Sequence, residues 1–352
     1  MMRHRRTRRK SGNRIILYII ALIALGVMYL SERFFGEEQA ATDTIELTTQ
    51  DTANQPSHTA ASQPEQAGLT LPAKEENEPQ SLPTNVARDD LYREGWAELP
   101  AEKRNKELYY AHHIIKGEAR RNYSVCFSRK HHCPVWVAYP LHSSYKGDTK
   151  RSDSFDYDPA LPIDIQPLLR RSFGEYTRGH LLGSAERSSS MEANQQTFYA
   201  TNIAPQTQEG FNASNGAWNN LERFAARQMC SDTLYVVTGC LFEDFTDSDG
   251  TNIKATTTTN KNDGKKIAVP TAYYKVLLRT RKGNTGRSVY DCKAEDLKCA
   301  AFIVGHRSAA GRKPTVASMM SVEELERIAG VEFFAGVANA PKDVANVRDW
   351  GL

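Results

Sequence analysis

Three hydrophobic patterns divide the chain. Residues 15–30 form one unbroken apolar run. From Gln39 to about Val86 there is no aromatic residue and no apolar periodicity. Beyond Asp89, short runs rich in β-branched and aromatic residues predict strands at 136–139, 234–238, 273–279 and 300–304. Between the first two of these, Ala217, Trp218, Leu221, Phe224 and Ala225 recur at helical spacing and predict a helix over 214–229, with Asn212, Ser214 or Asn215 available as its N-cap. A second helix is predicted over 321–329.

The first pattern is a membrane signal. Seven basic residues stand before it in a tail over 1–14. Sixteen helical residues cover roughly 24 Å, and flanking Arg14, Arg33 and Tyr29 extend that toward the ~30 Å of a hydrocarbon core. A cleaved signal peptide and a retained anchor compete. No small-x-small cleavage pattern follows Ser31, so the expectation is a signal anchor over 15–31, with the remainder on the extracytoplasmic side and secretion as the outcome if the segment is cleaved. The second pattern is rich in Thr, Gln, Glu, Pro and Ala and cannot bury enough surface to offset its ordering entropy. It reads as a disordered spacer over 32–88. Residues 89–352 are then the folded domain.

Charge and cysteine content refine this. The chain has 352 residues, of which 40% are hydrophobic, and a net charge of +3. Ten acidic and three basic residues between Glu32 and Arg88 offset the basic tail, leaving +3 on the remainder. That is too weak to identify a polyanion partner. Six cysteines agree with an oxidising compartment. Cys126 and Cys133 can face each other across a hairpin, and Cys292 and Cys299 share their spacing. Cys230 with Cys240 is excluded, because a strand between them holds their ends roughly 20 Å apart. His131-His132-Cys133 lacks the second ligand pair of a zinc site.

Three stretches carry candidate chemistry: Thr-Arg-Gly-His (177–180), Thr-Asn-Ile-Ala-Pro-Gln (201–206) and Phe-Asn (211–212) followed by Ala-Trp-x-x-Leu-Glu (217–222). A histidine near neutrality takes a proton from water, an adjacent arginine binds phosphate oxygens bidentately, and a glycine lets backbone approach closely. Asn215 and Glu222 are seven apart, hence on one helical face. An amide oxygen with a carboxylate two turns on can hold a hydrated hard cation, although a cap followed by a surface Glu is the ordinary anatomy of a helix start.

In this order the three stretches resemble the DNA/RNA non-specific endonuclease family, the endonuclease G-like ββα-metal (His-Me finger) nucleases. The resemblance extends to 133–141, 151–159, 237–243, 269–276 and the segment from Ser321 to Phe334, so it spans about Asp89 to the C-terminus. It implies an α+β fold, a central and mostly antiparallel sheet flanked by helices, with the histidine at a strand end and the asparagine at the start of a facing helix. It also implies a sequence-non-specific, metal-dependent endonuclease acting on DNA and RNA, with 5′-phosphate products. His180 falls on the general base, Arg178 and Arg151 on the phosphate-binding arginines, and Glu222 on the carboxylate that organises metal-bound water. Asn202 falls on the supporting amide and Asn212 on the ligand to one Mg2+, for which Mn2+ can substitute.

Two departures stand out. Thr177 occupies the place of the family's usual Asp, and two additional residues separate Asn212 from Glu222, which keeps Asn215 as a second candidate ligand. Thr177 also sustains an alternative: a catalytically weak or inactive membrane-tethered nucleic-acid-binding protein on the same fold.

Overall fold

The structure is a computed structural model and describes residues 95–103 and 105–352. The expected tail at 1–14, anchor at 15–31 and spacer at 32–88 lie outside the described residues. No helix among the described residues is long and apolar enough to cross a membrane.

The strands are β1 (Leu108–Ile115), β2 (Arg120–Ser128), β3 (Cys133–Leu141), β4 (Thr177–His180), β5 (Ile203–Gln206), β6 (Leu234–Leu241), β7 (Phe245–Thr246), β8 (Asn252–Ile253), β9 (Thr256–Thr259), β10 (Lys266–Val269), β11 (Ala272–Thr280), β12 (Leu297–Gly305) and β13 (Met319–Met320). The helices are α1 (Met191–Gln196), α2 (Ala217–Arg227), α3 (Val322–Ala329) and α4 (Val347–Trp350). Seven strands form one sheet in the order β1-β2-β3-β6-β11-β12-β13, with every pairing antiparallel. Both faces are covered, which is why β11 and β12 read as near-continuous apolar runs rather than as alternations.

On one face Val137, Tyr139, Val236, Tyr273 and Phe302 pack with Trp218, Leu221 and Phe224 of α2 and with Ile203 and Ala204 of β5. On the other, Trp136, Val237, Tyr274 and Val276 pack with Val322 and Leu325 of α3 and with Phe333 and Phe334. Each large apolar side chain so buried contributes roughly 1.5–3 kcal/mol. Three of them, Trp218, Leu221 and Phe224, fix α2 against the sheet. Helix α3 starts where Ser321 accepts the Glu324 N–H at 3.1 Å and ends at Gly330, whose φ of +67° closes the turn.

Two expectations need correction. Helix α2 is shorter than 214–229, and its N-cap is Gly216, which makes no side-chain cap. Asn215 lies before it at φ +64°, so the inference that Asn215 and Glu222 share a helical face fails. Gly216 is required by space: a Cβ there would sit 2.2 Å from the Phe211 carbonyl oxygen. The hairpin disulfide does not form either. Cys126 pairs with Trp136 and faces the α3 side of the sheet, whereas Cys133 faces the α2 side beside Cys240. A register shift after Cys126 places the two thiols on opposite faces. All six cysteines are free thiols, including Cys292 and Cys299, which donate to the Ser288 and Pro341 carbonyls.

Candidate active site

Strands β4 and β5 make a two-stranded ribbon against the α2 face of the sheet, pairing Thr177 with Gln206 and His180 with Ile203. Gly179 is set by contact rather than by φ: a Cβ there would lie 2.0 Å from the Cδ of buried Gln206. Fully buried Asn202 braces the chain just past His180. Its Oδ1 accepts the Leu182 N–H at 2.9 Å, and its Nδ2 donates to the Leu182 and Thr197 carbonyls at 2.9 and 2.7 Å.

His180 stands between two aromatic rings that each carry an arginine. Its ring meets Phe198 edge-on at 4.8 Å and lies 5.7 Å from Phe155. The Arg178 guanidinium sits 3.7 Å over Phe155 and donates to the Leu169 carbonyl at 2.7 Å. The Arg151 guanidinium sits 4.7 Å over Phe198 and donates to Ser184 Oγ at 3.0 Å and to Asp153 at 2.6 Å. The Arg151–Asp153 pair is exposed, so giving it up costs little. Arg151 reaches this place because its segment runs along residues 197–200: Asp156 O accepts the Ala200 N–H at 2.9 Å. Burial, with the Arg151 and Arg178 charges adding to it, pushes the His180 pKa down to about 3. The imidazole is therefore neutral at physiological pH, and its shielded Nε2 has no hydrogen-bond partner among the described residues.

Glu222, half-buried on α2, has its carboxyl pushed up to about 7 by burial; buried Lys275 opposes the shift and Glu186 adds to it. Lys275 rises from the middle of β11, donates to Thr238 Oγ1 at 2.8 Å and Tyr139 OH at 3.2 Å, and lies 5.0 Å over the Trp218 ring. Glu186 and Ser184 share one short turn, Ser184–Glu186, so the turn that receives Arg151 also faces Glu222.

Asn212 ends an irregular turn, Gln208–Asn212, that leaves β5; its amide N–H donates to Thr207 O at 3.1 Å. The half-buried Asn212 carboxamide makes no hydrogen bond within the described residues, whereas the Asn215 side-chain oxygen already accepts from Asn220 Nδ2 at 3.4 Å. That difference leaves the Asn212 carboxamide the more open of the two to an outside partner. Among the described residues, no three His, Cys, Asp or Glu side chains gather into a metal cluster. An uncharged amide oxygen that makes no hydrogen bond within the described residues suits a hard cation that keeps most of its waters, and Mg2+ is such an ion.

The structure thus brings His180, Arg178 and Arg151 into one group and places Glu222 with Lys275 and Glu186 in another. Asn202 lies beneath the first, Asn212 sits on the connection between β5 and α2, and half-buried Thr177 opens β4 opposite Gln206. Sequence reasoning missed Phe155, Phe198, Lys275 and Glu186. The lysine had a legible signal, a charge in the centre of an apolar run; Glu186 had none.

Comparison with known proteins gives a family and several relatives. Residues 105–340 match the model of the DNA/RNA non-specific endonuclease family. The chain is 27% identical over 237 residues to the mitochondrial nuclease EXOG of Mus musculus, covering 65% of this chain and 60% of that protein. It is 26% identical over 228 residues to mitochondrial endonuclease G of Bos taurus, covering 64% and 71%. A crystal structure of an EndoG/EndoGI complex aligns at 29% identity and a TM-score of 0.48, over 60% of this chain and 82% of that one.

Proposed function

Because the chain belongs to the DNA/RNA non-specific endonuclease family, we propose that it is a metal-dependent endonuclease that hydrolyses phosphodiester bonds in DNA and RNA with little sequence preference. The observation that carries this reading is the neutral imidazole of His180 held between Arg151 and Arg178.

With Nε2 shielded and unpartnered among the described residues, Nδ1 is the nitrogen through which His180 would take a proton from the attacking water. Arg178 and Arg151 bind the non-bridging oxygens and neutralise the charge that grows on them. Their stacking on Phe155 and Phe198 holds each guanidinium plane, which cuts the ordering cost of binding. Asn212 would hold Mg2+ directly, or Mn2+ in its place, and Glu222 would hold it through water. When bound there, such an ion would supply Lewis-acid stabilisation of the charge that develops around phosphorus and on the departing 3′-oxygen. Lys275 favours the carboxylate form of Glu222. Contacts confined to phosphates carry no base information. As in the family, the products would carry 5′-phosphates.

Through the apolar segment at 15–31 the protein would be tethered to a membrane with the nuclease domain on the extracytoplasmic side, or secreted if that segment is cleaved. Purified protein incubated with plasmid or RNA should degrade both in Mg2+ and neither in EDTA. A mobility shift without degradation under both conditions would replace the enzyme with a binding protein, the reading that Thr177 keeps open.

A further inference from the structure

The loop at 306–312, which follows β12, brackets the segment carrying Asn212. Ala309 N–H donates to Gly210 O at 2.9 Å and Gly311 N–H donates to Asn215 O at 2.8 Å, one bond on either side of Asn212. The Arg312 carbonyl accepts from Asn220 Nδ2 at 2.9 Å, two residues before Glu222 on α2. The packing is close: a Cβ on Gly210 would lie 2.3 Å from Ser308 Oγ and 2.8 Å from Ala309 N. At its start the loop is pinned by buried His306, whose Nδ1–H donates to Pro270 O at 2.6 Å and whose Nε2 accepts the Thr207 N–H at 2.8 Å.

What holds the loop from outside is an acidic turn between β7 and β8. Asp247 Oδ1 folds that turn by accepting the Asp249 and Thr251 N–H groups at 3.1 and 3.2 Å. Its Oδ2 faces the loop and accepts from Arg307 Nε at 2.8 Å and Arg312 Nη1 at 3.3 Å. Asp249 pairs with the same two arginines, and Ser248 Oγ accepts from Arg312 at 2.5 Å. The Asp247 side chain is 3% exposed and the two arginines 27% and 28%, so these pairs are only partly screened by water. None of these residues belongs to the group around His180.

We propose that Asp247, acting through Arg307 and Arg312, is a positioning residue that sets the cation affinity of the site by fixing the segment 210–215 around Asn212. The inference rests on the nuclease reading with Asn212 as the metal ligand. Residues that orient a ligand without touching the metal commonly change affinity on the order of tenfold or more, because a mobile ligand must be ordered when the ion binds.

The test is Mn2+ binding to the metal-free full-length protein, followed by electron paramagnetic resonance, for wild type, Asp247→Asn and Asn212→Ala. Asp247→Asn keeps the side-chain oxygen that folds the turn and removes the charge that faces the arginines. It should weaken Mn2+ binding on the order of tenfold. It should also raise the Mg2+ concentration needed for half-maximal cleavage while leaving the rate at saturating metal near wild type, and speed amide exchange at Ala309 and Gly311. Arg312→Lys should restore part of the affinity that Arg312→Met loses. Should Asp247→Asn fail to fold, Arg312→Met removes the same tie from the loop side and answers the same question. Weakened binding in Asn212→Ala with unchanged affinity in a folded Asp247→Asn overturns the clamp and leaves the nuclease reading standing. Unchanged affinity in both overturns Asn212 as ligand, and the clamp with it.

Discussion

Asn202 closes two hydrogen bonds on Leu182, one to its N–H and one to its carbonyl, two residues beyond His180. A single buried amide thereby fixes the exit of β4, and with it the direction of the imidazole. Asn202→Ala strands the Leu182 groups and the Thr197 carbonyl in a dry interior, at a cost of about 3 kcal/mol. Thermal denaturation should show a clear fall in Tm, with kcat falling more than KM rises. An unchanged Tm would show that the brace is not structural.

The depressed His180 pKa puts the imidazole's own limb far down the acid side of the pH profile. In the free protein the group loses its proton near pH 3, below its ordinary 6.5, so a fall in kcat/KM as pH drops through 7 belongs to the Glu222 carboxyl, pushed up to about 7, and the His180 limb lies well below it. Bound phosphate neutralises Arg151 and Arg178, which removes two of the charges that hold the value down. The His180 limb of kcat should therefore lie at higher pH than that of kcat/KM. Arg151→Ala should shift the His180 limb of kcat/KM upward; a limb that stays in place would refute the electrostatic account.

His306 predicts acid lability. Its pKa is pushed down to about 4 by burial, below the ordinary 6.5, so as pH falls the unfolded chain takes up this proton first. The sign follows: no penalty above pH 6.5, and stability lost between 6.5 and about 4, on the order of 3 kcal/mol for a shift of that size. Urea unfolding at several pH values should show this slope, and His306→Gln should reduce it, the part that remains belonging to His180.

Gly179→Ala tests the close approach to Gln206. The added methyl meets the fully buried Gln206 side chain, so a loss of roughly 1–3 kcal/mol is expected together with reduced cleavage. Wild-type stability would mean that Gln206 moves aside freely.

Much of this was legible because strand content followed from apolar runs and the chemistry followed from three short motifs. The strand expected at 234–238 lies within β6, and the one at 273–279 within β11, because sheet burial on both faces leaves a dense apolar record. The start of α2 was not legible: Asn212, Ser214 and Asn215 are all good caps by type, and what chose Gly216 was the close approach of the Phe211 backbone. The hairpin spacing of Cys126 and Cys133 was misleading because one register shift decides which face a thiol occupies. Nor could spacing reveal that Asp247, some thirty-five residues beyond Asn212 in the sequence, is tied to its loop, since that relation exists only through the tertiary fold.

The central claim is that His180 is the base. Plasmid cleavage by His180→Ala in saturating Mg2+, with circular dichroism and DNA binding measured on the same sample, tests it most directly. The account predicts a loss of about 10²-fold or more in rate with fold and binding retained; cleavage at the wild-type rate by the folded variant would contradict it.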